Sequence, residues 1–302
     1  MLAQISTRIY CRGHVLLLAL LFVSMNSVWA ALPAEISGPF YLSSWNYRPL
    51  APTGQAICIL TKVAGKFDHS SDRISVEVSG DRWQLSAVDR PDDNQTYGTA
   101  YCFDHSFFRG LPPWEKWFSN TVTVASNDSY NCTSTWLGDA TTILNGISGK
   151  WRGGGERASV DQSVSGWVQS LACVNSGQSP ARGHFLSYFV GNPHSGWEAL
   201  YENENSGRAT VANGGKTFVA RSGNCLETRT CTDVKMARID RAMCHFTYIS
   251  GKFEGGAERV EIYPHSDGHW HMISTSAQGY IEARARCFAK WQCTGLNCNG
   301  AK

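Results

Sequence analysis

The chain has 302 residues, of which 42% are hydrophobic and 17% charged, and its formal net charge is +2. With 25 acidic against 27 basic residues and no Lys/Arg run, it lacks the electrostatic footprint expected for nucleic acid or an anionic membrane. We therefore expect neither of these partners.

Residues 1–30 have the pattern of a secretory signal peptide. Arg8 and Arg12 give a positive start, the nine residues from Val15 to Val23 are all apolar, and Ala30 fits the small-residue rule before a cleavage point. Nine apolar residues are too few to span a bilayer, and no later stretch approaches the roughly 20 needed. We expect a chain that begins at Ala31, has no membrane span, and is secreted or periplasmic. A retained signal anchor is the alternative.

Three later segments align without gaps and indicate internal duplication. Each contains a Gly-Lys-aromatic element, four loop residues and an acid-Arg pair at the same offsets. These elements are Gly65-Lys66-Phe67 with Asp72-Arg73, Gly149-Lys150-Trp151 with Glu156-Arg157, and Gly251-Lys252-Phe253 with Glu258-Arg259.

Each copy has the composition and alternation of antiparallel β-strands, about four short strands per copy. The apolar positions of the first strand change phase between 60 and 63, which predicts a β-bulge just before Gly65. Glycines 153–155 and 255–256 suit tight turns with positive φ. The third strand carries a tryptophan in every copy: Trp83, Trp167 and Trp270.

The predicted fold class is therefore all-β, with three diverged repeats stapled by disulfides. We divide the chain into a signal peptide at 1–30, a first module at 31–125, a second with a long connector at 126–225, and a third at 226–302. The modules can stand in tandem or close around a pseudo-threefold axis. The long connectors favour the tandem arrangement.

Ten cysteines remain after the predicted cleavage, an even number that indicates a disulfide framework in an oxidising compartment. Copies one and three carry a cysteine on the first and last strands, whereas copy two has Thr142 and His184. Joint absence predicts bonded pairs, Cys58–Cys102 and Cys244–Cys287. The rest pair most simply as Cys132–Cys173, Cys225–Cys231 and Cys293–Cys298. Their spacings do not match a zinc site.

No catalytic signature is present, so we assign no catalytic residue and no cofactor. The chain has neither a Gly-x-Ser-x-Gly elbow nor a His-Glu-x-x-His pair. The densest group of possible metal ligands is His265, Asp267, His269 and His271. On a strand, His269 and His271 share one face and flank Trp270. Because copy one has Arg82 and Gln84 there, we interpret the group as a solvated strand face, with a metal site as the alternative.

The repeated polar and aromatic residues are the candidate ligand-binding set. The lysine and the acid of each copy are expected to lie close across a hairpin, either as a surface ion pair or as ligand contacts. The tryptophans are either core residues or platforms on which a sugar stacks. The set is Lys66, Asp72, Trp83, Lys150, Glu156, Trp167, Lys252, Glu258 and Trp270.

The leading hypothesis is a secreted, non-enzymatic binding protein of lectin-like or adhesive type. It would contact carbohydrate or cell-surface ligands multivalently. The alternatives are a secreted hydrolase with its site in the connectors, and a structural or inhibitory extracellular protein.

Overall fold

The computed structural model describes residues 32–43, 46–89, 95–108, 122–126, 130–135, 140–153, 155–165, 167–175, 180–189, 200–201, 209–210, 218–221, 233–277 and 281–289. The predicted signal peptide and the predicted pairs Cys225–Cys231 and Cys293–Cys298 lie outside these residues. The described elements are β-strands apart from a short 3-10 helix at His105–Phe108, so the all-β prediction is confirmed. Among these residues there is no helix long and apolar enough to cross a membrane.

In the described part of the chain each repeat supplies six strands rather than the expected four. The first copy forms β1 (Ile36–Ser43), β2 (Asn46–Pro52), β3 (Ala56–Ala64), β4 (Arg73–Ser79), β5 (Arg82–Val88) and β6 (Tyr97–Asp104). The second forms β7 (Val122–Ser126), β8 (Tyr130–Thr135), β9 (Ala140–Gly149), β10 (Arg157–Ser165), β11 (Trp167–Asn175) and β12 (Ala181–Phe189). After β13 (Leu200–Tyr201) and β14 (Ala209–Thr210), the third forms β15 (Phe218–Arg221), β16 (Val234–Arg238), β17 (Ala242–Ser250), β18 (Arg259–Pro264), β19 (His269–Thr275) and β20 (Glu282–Ala289).

The strands form three antiparallel sheets, and each sheet combines strands of two copies. Sheet A has the order β1-β6-β3-β18-β19-β16, sheet B has β2-β5-β4-β9-β12-β7, and sheet C has β14-β13-β20-β17-β10-β11-β8, with β15 also paired to β20. Half of every copy therefore lies in the sheet of the next copy, and the third copy returns to the first. The repeats thus close around a pseudo-threefold axis instead of standing as separate tandem modules.

The extra strands come from the segments outside the recognisable repeat cores. The first strand of each copy, β1, β7 or β15, pairs with the last strand of the same copy. The second strand, β2, β8 or β16, pairs with the fifth. The long connectors therefore build the outer edges of the sheets. Their length is thus no argument for a tandem arrangement.

A closed ring of backbone hydrogen bonds joins the copies at the Gly-Lys-aromatic element. The N–H of Phe67 donates to the carbonyl oxygen of Phe253 at 2.7 Å. Phe253 donates to Trp151 at 2.7 Å, and Trp151 donates to Phe67 at 2.8 Å. All three side chains are fully buried, and the Phe253 ring meets the other two edge-on. The element recurs because each copy supplies one member of this ring.

The predicted bulge occurs in all three copies. The pairing of β3 with β6 skips Thr61, and the equivalent residues skipped are Asn145 in β9 and Thr247 in β17. Gly65 follows with φ of 105°, and a Cβ there would lie 1.7 Å from the carbonyl oxygen of Gln95. A side chain cannot fit at this position, so the glycine of the element is required by the close approach of the backbone.

The described residues contain three disulfide bonds. Two join the cysteines paired by repeat position, Cys58–Cys102 and Cys244–Cys287, and the third is Cys132–Cys173, the bond expected from the simplest pairing of the remaining cysteines. In copy two, Thr142 pairs with Ser187, and their hydroxyl oxygens lie 2.8 Å apart. Ser187 therefore takes the place of the second cysteine, and the assignment of His184 to this place is wrong. The last strand has no repeated motif to anchor its alignment, so a displacement of this kind leaves no trace in the sequence.

Candidate functional site

The repeated acids are buried, and two of them cap the loops that precede them. Asp72, Glu156 and Glu258 have no exposed surface. The Asp72 carboxylate accepts the N–H of His69 at 2.6 Å, and the Glu156 carboxylate accepts that of Gly153 at 2.8 and 2.9 Å. Side chains without exposed surface are not accessible to a ligand, so the geometry does not support the assignment of these three acids as ligand contacts.

The turn glycines make room for these acids and do not adopt the positive φ expected of them. A Cβ on Gly153 would lie 3.0 Å from Oε1 of Glu156, and one on Gly255 would lie 2.8 Å from Oε2 of Glu258. Neither glycine is among those with positive φ in the described chain. Copy one has the shorter acid Asp72, and the residue at the glycine position there is His69.

Two of the three repeat tryptophans belong to the core. Trp83 and Trp270 have no exposed surface. Their indole N–H groups donate to the carbonyl oxygens of Ala56 at 2.6 Å and Ala242 at 2.8 Å. Neither ring therefore offers a face on which a sugar could stack, and the core interpretation applies. Trp167 begins β11, but its side chain lies outside the described groups.

Two of the repeat lysines pair with the acid two residues further along the chain. Nζ of Lys66 lies 2.8 Å from Asp68, and Nζ of Lys252 lies 2.7 Å from Glu254. Copy two has Arg152 where the other two copies have these acids, and its guanidinium lies 3.0 Å from Asp68. Lys150 is half-buried. Partly exposed pairs of this kind stabilise a protein by at most ~1 kcal/mol.

A more accessible group lies on sheet A where copies one and three meet. Tyr41 in β1 is 49% exposed, and its ring centroid is 6.2 Å from that of Tyr97 in β6. Nζ of Lys62 in β3 lies 5.5 Å from the centroid of Tyr97 and 3.3 Å from the carboxylate of Glu261 in β18. We call these four residues the tyrosine seam. Sequence analysis missed them because none belongs to the repeated motif.

The register of four strands places the tyrosine seam. Tyr41 and Lys62 both lie opposite Thr99 of β6, one on either side, and Lys62 lies opposite Glu261 across the junction of the two copies. The hydroxyl of Tyr97 donates to the carbonyl oxygen of Gly256 in copy three at 3.1 Å. Burial raises the pKa of Tyr97, so its hydroxyl is neutral at pH 7.

Equivalent positions on the other two sheets carry different chemistry. On sheet B the strand partner of Thr123 is His184, whose Nδ1 lies 3.1 Å from the hydroxyl of Thr123. On sheet C the exposed Val219 lies opposite Arg284, whose guanidinium stacks 4.3 Å from the ring centroid of Tyr248. The backbone of the sheets is therefore repeated, while the side chains at these junctions are not.

A second polar group lies on the hairpin between β18 and β19. The N–H of Gly268 donates to the carbonyl oxygen of His265 at 3.0 Å, and the N–H of His265 donates to that of His269 at 2.8 Å. Gly268 has φ of 82°. This pattern is a type I turn followed by a bulge with glycine in the left-handed region. The turn folds His265 and Asp267 back toward β19.

We call His265, Asp267 and His271 the histidine cluster, because one donor atom from each lies within 4.8 Å of the others. Nδ1 of His265 is 3.2 Å from one Asp267 oxygen, and Nε2 of His271 is 3.3 Å from the other. Nδ1 of His271 is 2.9 Å from Asp233, a residue just before β16. His265 rather than His269 thus completes the group. The cluster is therefore more than a solvated strand face.

Hydrogen bonds keep Asp267 ionised. Burial opposes ionisation, but hydrogen bonds from the Lys235 ammonium, the N–H of His269 and the His271 ring hold the pKa of Asp267 well below its usual range. Nζ of Lys235 lies 3.0 Å from the carboxylate oxygen that faces His271. A permanent anion between two imidazoles is an arrangement that can receive a cation.

The chain therefore offers two candidate sites on sheet A, the tyrosine seam and the histidine cluster. Comparisons with protein-family models, with curated proteins and with solved structures find no match to this chain.

Proposed function

We propose that the chain is an extracytoplasmic, non-enzymatic binding protein of lectin-like or adhesive type that contacts carbohydrate through the tyrosine seam. The observation that carries this proposal is the exposed ring of Tyr41 beside a second tyrosine and the Lys62–Glu261 ion pair. All of these groups stand on a disulfide-stapled sheet.

The chemistry of the seam matches both sides of a sugar. A pyranose ring presents C–H groups on its faces and hydroxyls around its edge. The exposed Tyr41 ring can pack against the C–H face, while the tyrosine hydroxyl, the ammonium and the carboxylate can exchange hydrogen bonds with the hydroxyls. Lys62 and Glu261 already hold each other, and their side chains are only 14% and 20% exposed. Little side-chain freedom would be lost on binding, which favours affinity.

The proposal places one such site on each chain. Apart from Lys150, the repeated residues whose side chains the structure describes are buried or paired, and the positions equivalent to the seam differ on sheets B and C. Multivalent attachment, the expectation from threefold repetition, would then depend on several chains acting together.

Disulfide chemistry supports the extracytoplasmic part of the proposal. Each of the three bonds in the described residues joins directly opposed residues on paired strands. Such bonds persist in oxidising compartments and are rare in reducing ones. The signal-peptide pattern of residues 1–30 points the same way.

The experiment is a glycan array with the wild type and two seam variants, Tyr41→Ala and Lys62→Met. We expect binding to at least one glycan class, weakened ~10-fold or more in both variants, because each loses about 1.4 kcal/mol or more of contact energy. The matched control is Tyr47→Ala, which removes another exposed tyrosine from β2, the next strand in the chain and a member of sheet B.

A second control changes Lys66, Lys150 and Lys252 together to methionine. This variant should bind as the wild type does, because the proposed contacts lie elsewhere. Failure of the wild type to bind any glycan, or an equal loss in Tyr47→Ala and Tyr41→Ala, would refute the proposal.

A further inference from the structure

We propose that the histidine cluster binds one divalent transition-metal ion such as Zn²⁺, with Asp233 as a positioning residue for His271. The site is separate from the tyrosine seam, so it does not depend on the proposed function. Its three ligands would be one imidazole nitrogen each from His265 and His271 and a carboxylate oxygen of Asp267.

The spacing of the donor atoms matches a coordination shell. Zinc lies about 2.0–2.2 Å from nitrogen and oxygen ligands, so two ligands in a tetrahedral site are roughly 3.3 Å apart. Asp267 oxygens lie 3.2 Å from Nδ1 of His265 and 3.3 Å from Nε2 of His271. The two imidazole centroids are 4.2 Å apart. Small side-chain adjustments would therefore place all three ligands around one ion.

An outer layer of hydrogen bonds orients His271. Nδ1 of His271 lies 2.9 Å from Oδ1 of Asp233, whose other oxygen accepts the hydroxyl proton of Tyr263 at 3.0 Å. With the N–H at Nδ1 held by Asp233, Nε2 can exchange its hydrogen bond to Asp267 for a bond to a metal ion. Histidine ligands of metals commonly donate their second N–H to a carboxylate in this way.

The donor set and its exposure decide the type of ion. Two imidazoles and one carboxylate suit Zn²⁺, Cu²⁺ or Ni²⁺, whereas Ca²⁺ and Mg²⁺ take mainly oxygen ligands. His271 is nearly buried, but the side chains of His265 and Asp267 are 40% and 33% exposed. An ion can therefore enter from solvent, and water can complete its coordination.

Lys235 is the natural competitor of the ion. Its ammonium lies 3.0 Å from the Asp267 oxygen that also faces His271, and its side chain is 45% exposed. In the metal-free protein the ammonium neutralises Asp267, and on binding the ion takes this role while the lysine moves into solvent. Removal of the ammonium should therefore strengthen metal binding. If Lys235 instead only held Asp267 in place, its removal should weaken metal binding.

The test is calorimetric titration of the metal-free protein with ZnCl₂, repeated with MgCl₂. We expect one zinc per chain and no detectable magnesium binding. His265→Asn should weaken zinc binding at least ~10-fold, and Asp233→Asn should weaken it about 10- to 100-fold. Lys235→Met should tighten it ~3-fold or more by removing a competing charge. Control variants His69→Gln and Lys66→Met, which change the same residue types elsewhere, should match the wild type.

Melting temperatures of the metal-free variants separate positioning from folding. Asp233→Asn should melt close to the wild type without zinc and gain less stability when zinc is added. His265 lies on an exposed turn, so its replacement should fold even if replacement of His271 does not. Absence of zinc binding by the wild type at millimolar zinc, unchanged affinity in His265→Asn, or weaker binding by Lys235→Met would each overturn the proposal.

Discussion

Asn145 in β9 hydrogen-bonds to the backbone of Leu60 in β3, a strand of another copy and another sheet: its Oδ1 accepts the Leu60 N–H at 2.7 Å. Its Nδ2 donates to the carbonyl oxygen of Val76 at 2.8 Å. The equivalent bulge residues, Thr61 and Thr247, bond to carbonyl oxygens of strands in their own sheets. The bulge of copy two therefore links two sheets through one fully buried side chain.

Asn145→Ala should lower the free energy of unfolding by about 2–4 kcal/mol, because it leaves a buried N–H and a buried carbonyl without this partner. Thr247→Ala is the control at the equivalent position and should cost ~1 kcal/mol or less. Urea denaturation measures both values. Similar small losses in the two variants would show that the link between the sheets is not important for stability.

Gly149→Ala should prevent folding or destabilise the protein by several kcal/mol. Gly149 has φ of 88°, and a Cβ would lie 2.3 Å from the carbonyl oxygen of Pro180. Gly80 has φ of 63° with nothing within 4 Å, so Gly80→Ala should cost only about 1–2 kcal/mol of conformational strain. Gly54→Ala has neither problem and should be nearly neutral. Circular dichroism melting of the three variants checks this order, which would be contradicted by equal melting temperatures.

The pairing of turn residue and acid predicts a coupled effect in copy one. Asp72→Glu alone should destabilise the fold, because the longer carboxylate would crowd the Cβ of His69. Adding His69→Gly should restore much of the loss by recreating the Gly153–Glu156 arrangement of copy two. We expect a coupling energy of about 0.5–3 kcal/mol in a double-mutant cycle. Additive effects of the two changes would contradict this account of the turn glycines.

Two buried histidines should make the protein less stable in acid. Desolvation by burial lowers the pKa of His184 and of His245 to about 3, and nearby Arg73 and Arg182 add to the effect at His184. Between roughly pH 6.5 and 3 the unfolded chain binds protons that the folded chain excludes. Their contribution is therefore fully present above about pH 6.5 and declines as the pH falls, by up to about 1.4 kcal/mol per pH unit for each histidine.

Asp72 changes the stability with pH in the opposite direction to the two histidines. Burial, more than the nearby charges of Asp89 and Asp68, raises its pKa to about 6, so between roughly pH 4 and 6 the folded chain holds a proton that the unfolded chain has released. Asp72 therefore destabilises the fold as the pH rises through this range.

Urea denaturation from pH 7 to 4 should show a net loss of stability in acid. The free energy of unfolding should fall less steeply with pH in His184→Gln than in the wild type. An unchanged slope in that variant would refute the assignment to His184.

The sequence predicted the features that depend on residues close together in the chain. Strand composition, the change of phase before Gly65 and the repeated Gly-Lys-aromatic element indicated three all-β copies with a bulge in each. The joint absence of two cysteines in copy two indicated the bonds Cys58–Cys102 and Cys244–Cys287, because a bonded pair is gained or lost together.

Only the tertiary structure decided which strands pair between copies, and hence what each repeated residue does. A hydrogen-bonded sheet satisfies its backbone equally well with strands of one copy or of two, so local patterns cannot show that β3 pairs with β18. That single pairing brings Lys62 to Glu261. The pairing of β16 with β19 likewise brings Asp233, the residue just before β16, to His271. The tyrosine seam therefore arises from contacts between residues far apart in the chain, whereas the proposed ligands of the histidine cluster lie within residues 265–271 and only Asp233 and Lys235 come from a distant segment. The residues repeated in the sequence serve the axis and the core that hold these sites in place.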